Sequence, residues 1–368
     1  MTINQEIVDR YIEHRVFLIR FENRVVRDVL KSLRRGELEA LGAIADAYQR
    51  ALARSEASGV PLTAWGGDGI GFRRKAVKRI RASLGDAFPA ARKSLAVALE
   101  GVAEDATSLL VAELEQGLPA AVIDELALSR VPERALANML SDNFGERLEG
   151  SSKRLADAFG DIELAAQRRV NKVMRDGVRD GVGLNRMVSQ ARAAIGTSDT
   201  MGVDVARVVR TMVQTTANDA AGMLHRENSD IVRAEQYHAT LDSDTCPVCG
   251  PLDGKVFPLD KSGASTVPRP PRHPSCRCFV SPVLMDWKQM GLPKDKIPAR
   301  VRKLLDGKPA QRQTWRNWVD AKPGRLEKIL GPSRARLVRS GEAKLSDLST
   351  TTDVLNLDEL RQKIRRAA

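Results

Sequence analysis

The four cysteines of this chain all fall within 33 residues. Cys246 and Cys249 form a C-x-x-C, and Cys276 and Cys278 close the run Arg272-His-Pro-Ser-Cys-Arg-Cys278, which also holds His273, one of only four histidines. Cysteines used as core packing would be scattered, so this clustering asks for one local cause. A zinc ion bound by thiolate sulfur and imidazole nitrogen supplies it. A C-x-x-C turn aims two sulfurs at one ion. Cys276 and Cys278, two apart, would share a face of a strand and form the second pair. His273 competes for the fourth position, so five candidate ligands stand for four places. The favoured set is Cys246, Cys249, Cys276 and Cys278, with His273 as the rival. Four protein ligands leave no open position for water, which makes the site structural rather than catalytic. Its task would be to close a 26-residue loop that has almost no core of its own. The alternative is a reduced thiol cluster that holds no metal.

Two enzymatic patterns fit less well. His225-Arg-Glu227 ahead of Cys246-Pro-Val-Cys249 partly matches the zinc deaminases, but the proline lies between the cysteines, and Cys276 and Cys278 would be idle. An HNH-type nuclease would need carboxylates or a second histidine beside His273, which is flanked by Arg272 and Pro274. His14 and His225 fall on helical patterns, with a surface or half-buried position expected, and His238 falls beside a strand. Gly263 to Ser265 reads as loop.

The elements that must position this cluster are mostly helical. Ile7, Tyr11, Leu18, Phe21, Val25, Val29 and Leu33 recur at three- and four-residue steps, predicting one or two long helices over 5–55. Breaks are expected at Ser58-Gly-Val-Pro and at Gly66 to Gly71, which lacks the Gly-Lys-Ser/Thr ending of a phosphate loop. Further helical stretches are expected over 73–117, with a kink at Pro89, over 131–195, broken near Gly177 to Gly183, and over 203–236. At Tyr237 the texture turns strand-like, and Phe279-Val-Ser-Pro-Val is a second strand candidate. Seven prolines between them exclude a helix. Short helical pieces resume at about 284.

A chain of 368 residues suggests several modules. Four are expected: a helical region 1–150, a second helical part 151–236, the Cys/His module 237–286 and a basic helical tail 287–368. The fold class is mainly α, a long helical bundle with a small, zinc-stapled α+β module and the basic tail. The net charge is +12, and the segment from Trp287 onward carries 20 Lys and Arg against 9 Asp and Glu. A neutral body with a basic arm points to nucleic acid or an acidic surface. No stretch of 18 apolar residues exists and no basic n-region precedes an apolar stretch, so neither a membrane partner nor a secretory leader is expected.

The sequence Cys246-Pro-Val-Cys-Gly-Pro-Leu-Asp-Gly-Lys-Val-Phe257, followed by Pro270-Pro-Arg-His-Pro-Ser-Cys-Arg-Cys278, resembles the phage Mu F-like minor head proteins, the phage head morphogenesis family. Gly177 to Ala194 is similar to the family's glycine-broken helical pair. Ala206-Arg-Val-Val-Arg-Thr211 with Ala217-Asn-Asp-Ala-Ala221 is similar to its Arg-Thr…Ala-Asn helix. Leu326-Glu-Lys-Ile-Leu-Gly-Pro-Ser-Arg-Ala-Arg-Leu-Val-Arg-Ser-Gly341 with Leu357-Asp-Glu-Leu360 looks like its closing segment. The resemblance spans about 160–365 and implies a structural, non-enzymatic minor capsid protein of a tailed phage. Such a protein sits in the virion, in the head interior or at the portal vertex, and in the host cytoplasm during assembly. Its implied partners are the portal protein, a coat or scaffold protein and, through the basic tail, viral double-stranded DNA. The rival is a zinc-stapled nuclease or other DNA-processing enzyme; a soluble DNA-binding regulator lacks a recognisable helix-turn-helix spacing.

Overall fold

The structure, a computed structural model, describes residues 2–61, 72–145, 155–242, 245–322, 324–348 and 355–367. The predicted break at Gly66 to Gly71 lies outside these residues. Two long helices make the frame. Helix α1 (Ile3–Ser58) runs unbroken for 56 residues, roughly 84 Å at 1.5 Å per residue. It buries Ile7, Leu18, Val25, Val29, Leu33, Ala40, Ile44 and Ala47, the three- and four-residue rhythm of one face. It stops at Gly59, whose φ of 68° is a left-handed terminator. Helix α2 (Phe72–Gly117) packs along it and passes through Pro89 without ending. The two backbones approach closely at Gly36, where a Cβ would lie 2.6 Å from Ala87 Cβ and 2.8 Å from the Ser83 carbonyl.

Helices α3 (Ala120–Leu126), α4 (Glu133–Gly145), α5 (Leu155–Arg179), α6 (Leu184–Ile195) and α7 (Thr200–Glu227) follow. The expected break near Gly177 to Gly183 separates α5 from α6. The main core joins α1, α2, α5, α6 and α7 through Leu84, Phe88, Leu95, Phe159, Val170, Met187, Val205 and Val209. Helix α7 ends earlier than the periodicity suggested. Asn228 folds back, its Nδ2 donating to the Leu224 carbonyl at 2.9 Å and to Ser129 O at 2.9 Å. The chain then extends into strand β1 (Val232–His238), so residues 232–236 belong to a strand and not to the fourth helix. The apolar spacing could not separate the two because both faces of β1 are covered.

Strand β1 is the middle of a three-stranded antiparallel sheet. Strand β2 (Val256–Pro258) lies on one side and β3 (Phe279–Leu284) on the other. Glu235 faces Phe257, Gln236 faces Ser281 and His238 faces Phe279. The strand at Phe279 was expected; β2 was not. Asn4, in the first turn of α1, secures the sheet: its side chain accepts from Leu284 N at 2.9 Å and donates to the Lys308 carbonyl at 2.8 Å.

Beyond the sheet come α8 (Ala299–Leu304), α9 (Trp315–Asp320), α10 (Arg325–Leu330), α11 (Pro332–Arg339) and α12 (Leu357–Ala367). The last four build a small core of their own around Trp315, Leu326, Leu330, Leu337 and Leu360. Among the described residues, no helix is long and apolar enough to cross a membrane.

Candidate metal centre

All five predicted ligand residues converge. The Cys246 to Cys249 turn is closed by Cys249 N and Gly250 N donating to the Cys246 carbonyl at 3.1 and 3.0 Å, so both sulfurs point to one side. The ligand atoms of Cys246, Cys249 and His273 lie within 4.8 Å of one another, as do those of Cys249, Cys276 and Cys278. Cys249 belongs to both groups. Cys249, Cys276 and Cys278 are buried, whereas Cys246 and His273 are half-exposed. They border a cavity of about 420 Å³ whose far wall carries Glu22, Asn23 and Arg210.

The geometry suits a metal better than a disulfide. Cys249 Sγ and Cys276 Sγ are 3.8 Å apart, against about 2.05 Å for a bonded pair. The edge of a tetrahedron with ~2.3 Å metal–sulfur bonds is about 3.8 Å. A second observation is the Tyr237 hydroxyl. The residue is fully buried, and Oη has no hydrogen-bond partner. The groups it meets are Cys249 and Cys278. An O–H in that position needs an electron-rich sulfur, which a metal-bound thiolate provides. Proton affinities across the cluster are already split. Hydrogen bonding from Cys249, then from His273, holds the Cys246 thiol below its ordinary value. Contact with Cys246 and Cys276 lifts His273 to about 10. Cys276 is held well below the ordinary thiol value, first by Cys249 and then by Cys278.

The loop that carries His273, Cys276 and Cys278 is held by residues far away in the chain. Arg15 of α1 donates from Nη2 to the Cys276 carbonyl at 3.2 Å. Thr211 of α7 accepts from Ser275 N at 3.1 Å, where Ser275 sits at a left-handed φ of 60°. Asn218 of α7 donates to the Cys278 carbonyl at 3.5 Å and to Gln214 O at 2.8 Å. Arg277 makes a two-pronged pair with Asp242 at 2.7 and 3.0 Å. Thr211 and Asn218 lie in the Arg-Thr…Ala-Asn stretch, which therefore forms the shelf under the loop.

The Leu252-Asp-Gly turn has an equally physical role. Asp253 accepts from Ala239 N at 2.7 Å and from Trp315 N at 2.5 Å, joining the strand end to the tail. Gly254 occupies a φ of 77° that disfavours any side chain. Trp315 lies flat on Gly250, where a Cβ would come within 2.6–2.8 Å of the indole ring.

Next to the cluster, His225 is fully buried, contrary to the surface or half-buried position expected for it; His14 is half-buried and His238 stands in β1. His225 Nε2 meets Tyr11 Oη at 2.9 Å and Nδ1 meets Glu235 Oε1 at 2.7 Å. Arg269 donates to both Glu235 oxygens at 2.9 and 2.7 Å and to the Asn218 carbonyl at 3.1 Å. Burial alone would raise the Glu235 carboxyl; hydrogen bonds and charge from His225 and Arg269 outweigh it and hold it at about 2. This chain ties α1, α7, β1 and the proline-rich loop into one buried polar network. Sequence spacing gave no sign of Arg15, Tyr11 or Arg269, because their partners lie up to 261 residues away.

Residues 168–281 match the family described as phage Mu protein F like protein. The match runs from within α5 to within β3, taking in the shelf, the Leu-Asp-Gly turn and all five cluster residues. The helices before it and the segment from Leu326 onward lie outside. No curated protein and no solved structure matches the chain. Over residues 168–281, from within α5 to within β3, the chain is similar to the phage Mu protein F like family.

Proposed function

We propose that the protein is a minor head component of a tailed phage, acting next to the portal in head assembly and in the handling of packaged DNA. The observation that carries this reading is the match over 168–281, whose motif residues build a scaffold. The cluster has the thiol-rich, mostly buried set of a structural zinc site. We infer that Cys249, Cys276 and Cys278 supply three ligands and that Cys246 and His273 compete for the fourth. Zinc would cross-link the C-x-x-C turn to the loop at Cys276 and so fix the sheet against α1 and α7. The portal and a coat or scaffold protein are its expected protein partners. The segment after Trp287, which holds almost all of the net charge, would face viral DNA and lend it salt-sensitive affinity.

The nuclease reading finds little support in the site. His273 Nδ1 faces the Pro274 carbonyl at 3.1 Å, and the carboxylate on the cavity wall, Glu22, is engaged by the Gln214 amide. The test combines three measurements on purified protein. One zinc per chain is expected by elemental analysis. DNA binding should fall steeply with salt and vanish on deleting 287–368. Magnesium- or manganese-dependent DNA cleavage that disappears in His273→Ala would overturn the structural reading in favour of the enzyme.

A further inference from the structure

The matched module leaves the long helices before it without a role, and their surface carries a second feature. A groove of about 830 Å³ lies between the C-terminal half of α2 and the stretch from Arg130 to Ser141, which includes α4. Its floor is apolar, made by Val111, Leu136 and Leu140. Its rim carries Glu100, Glu104, Glu115 and Glu133 against a single cation, Arg130. All four glutamates are exposed, and none is ion-paired among the described residues. In a chain with a net charge of +12, an uncompensated acidic rim around an apolar floor is a local reversal of sign.

Unpaired like charges repel one another and gain nothing for folding. Placed around an apolar trough between two helices, they match one kind of occupant. An amphipathic helix presents an apolar stripe about one helix face wide, and lysines or arginines on its flanks would meet the rim. DNA is repelled by the same rim, and an acidic or neutral helix would leave the charges uncompensated.

We propose that the α2–α4 groove is the docking site for a basic amphipathic helix of a partner protein. It gives the N-terminal helices a protein-binding role separate from the metal centre and from the basic tail. Charge complementarity sets the choice of partner, and the apolar floor supplies the burial.

The experiment uses the full-length protein and two fluorescein-labelled 18-residue helical probes. Both carry leucines at i, i+3, i+4 and i+7; one has lysine at the polar positions and the other glutamate. Fluorescence anisotropy should show saturable binding of the lysine probe alone, weakening as salt rises. The triple variant Glu100→Lys, Glu104→Lys, Glu115→Lys changes exposed side chains only, and its circular dichroism and melting temperature should match the parent. Its affinity for the lysine probe should fall by about tenfold or more, the scale of several surface charge pairs lost together. Equal binding of both probes, no binding, or unchanged affinity in a folded triple variant would overturn the proposal. Because the assay uses neither metal nor DNA, its failure leaves the head-protein reading standing.

Discussion

The helical frame and the cysteine knuckle hold themselves together by opposite means. The frame buries some three dozen apolar side chains, most of them along α1, α2, α5, α6 and α7, so its stability is spread over many contacts. The knuckle has a core of seven buried residues, three of them cysteines. Its remaining stability comes from single, directed links: Arg15 to Cys276, Thr211 to Ser275, Asn218 to Cys278 and Asp253 to Trp315. Burial is additive and forgiving, whereas a few directed bonds make a precise anchor that one change can undo.

The sharpest break in this contrast should come from Cys249→Ser. Cys249 belongs to both groups of candidate ligands, so under the zinc reading proposed above the variant should lose the metal and the knuckle together, since the binding energy of a structural zinc is folding energy. Hydrogen exchange should show β1–β3 and 246–278 opening while α1 and α2 stay protected. By contrast, Phe88→Ala in the frame should cost about 3–5 kcal/mol, spread over one cooperative melt with the metal retained. If Cys249→Ser instead melts the frame as a unit, the two regions are one.

A smaller effect is expected from Gly250→Ala. The added methyl would push Trp315 off the turn, at about 1–3 kcal/mol for overpacking. Limited proteolysis should then cut between 306 and 325 faster than in the parent, with zinc content unchanged. An unchanged cleavage pattern would mean that the tail is held elsewhere.

The smallest effect is in pH. Burial, with Arg312 second, holds His238 down to about 3, and burial with nearby arginines holds His14 at about 4. Both lie below the unfolded value of 6.5. The unfolded chain therefore takes up protons that the folded one refuses, and stability is lost as pH falls below about 6.5. Glu22 runs the other way: burial lifts it to about 7 from 4.5, so its contribution is present at low pH and fades toward neutrality. Urea midpoints should fall between pH 7 and pH 5, and fall further in Glu22→Gln, which removes the opposing group. A shallower fall in that variant would refute the assignment.

The same contrast governs what could be read from the residues. Periodicity over Ile7 to Leu33 announced α1, because a helix face repeats locally. The cysteine spacing announced a cluster, and the structure gathers all five side chains. Strand β2 was missed because three residues give no period, and the boundary between α7 and β1 was misplaced because β1 is buried on both faces. Arg15 and Tyr237 were invisible as neighbours of the cysteines, since nothing local distinguishes a residue whose partner is set by tertiary packing. The motif residues Asp253, Thr211 and Asn218 were visible as a pattern, but their reason was not: each satisfies a backbone group of a neighbouring segment.

The Arg15 bond to Cys276 also has a bearing on time. A ribosome adding about 5–20 residues per second makes α1 long before the knuckle exists. The guanidinium must wait roughly 13–50 s for its carbonyl at that rate. During this interval α1 can pair with α2, but Ile3, Ile7 and Tyr11, which finish their burial against β3 and α7, stay partly bare. The start of α1 thus keeps an unfinished apolar face until α7 and the strand that follows the cysteine loop have been made.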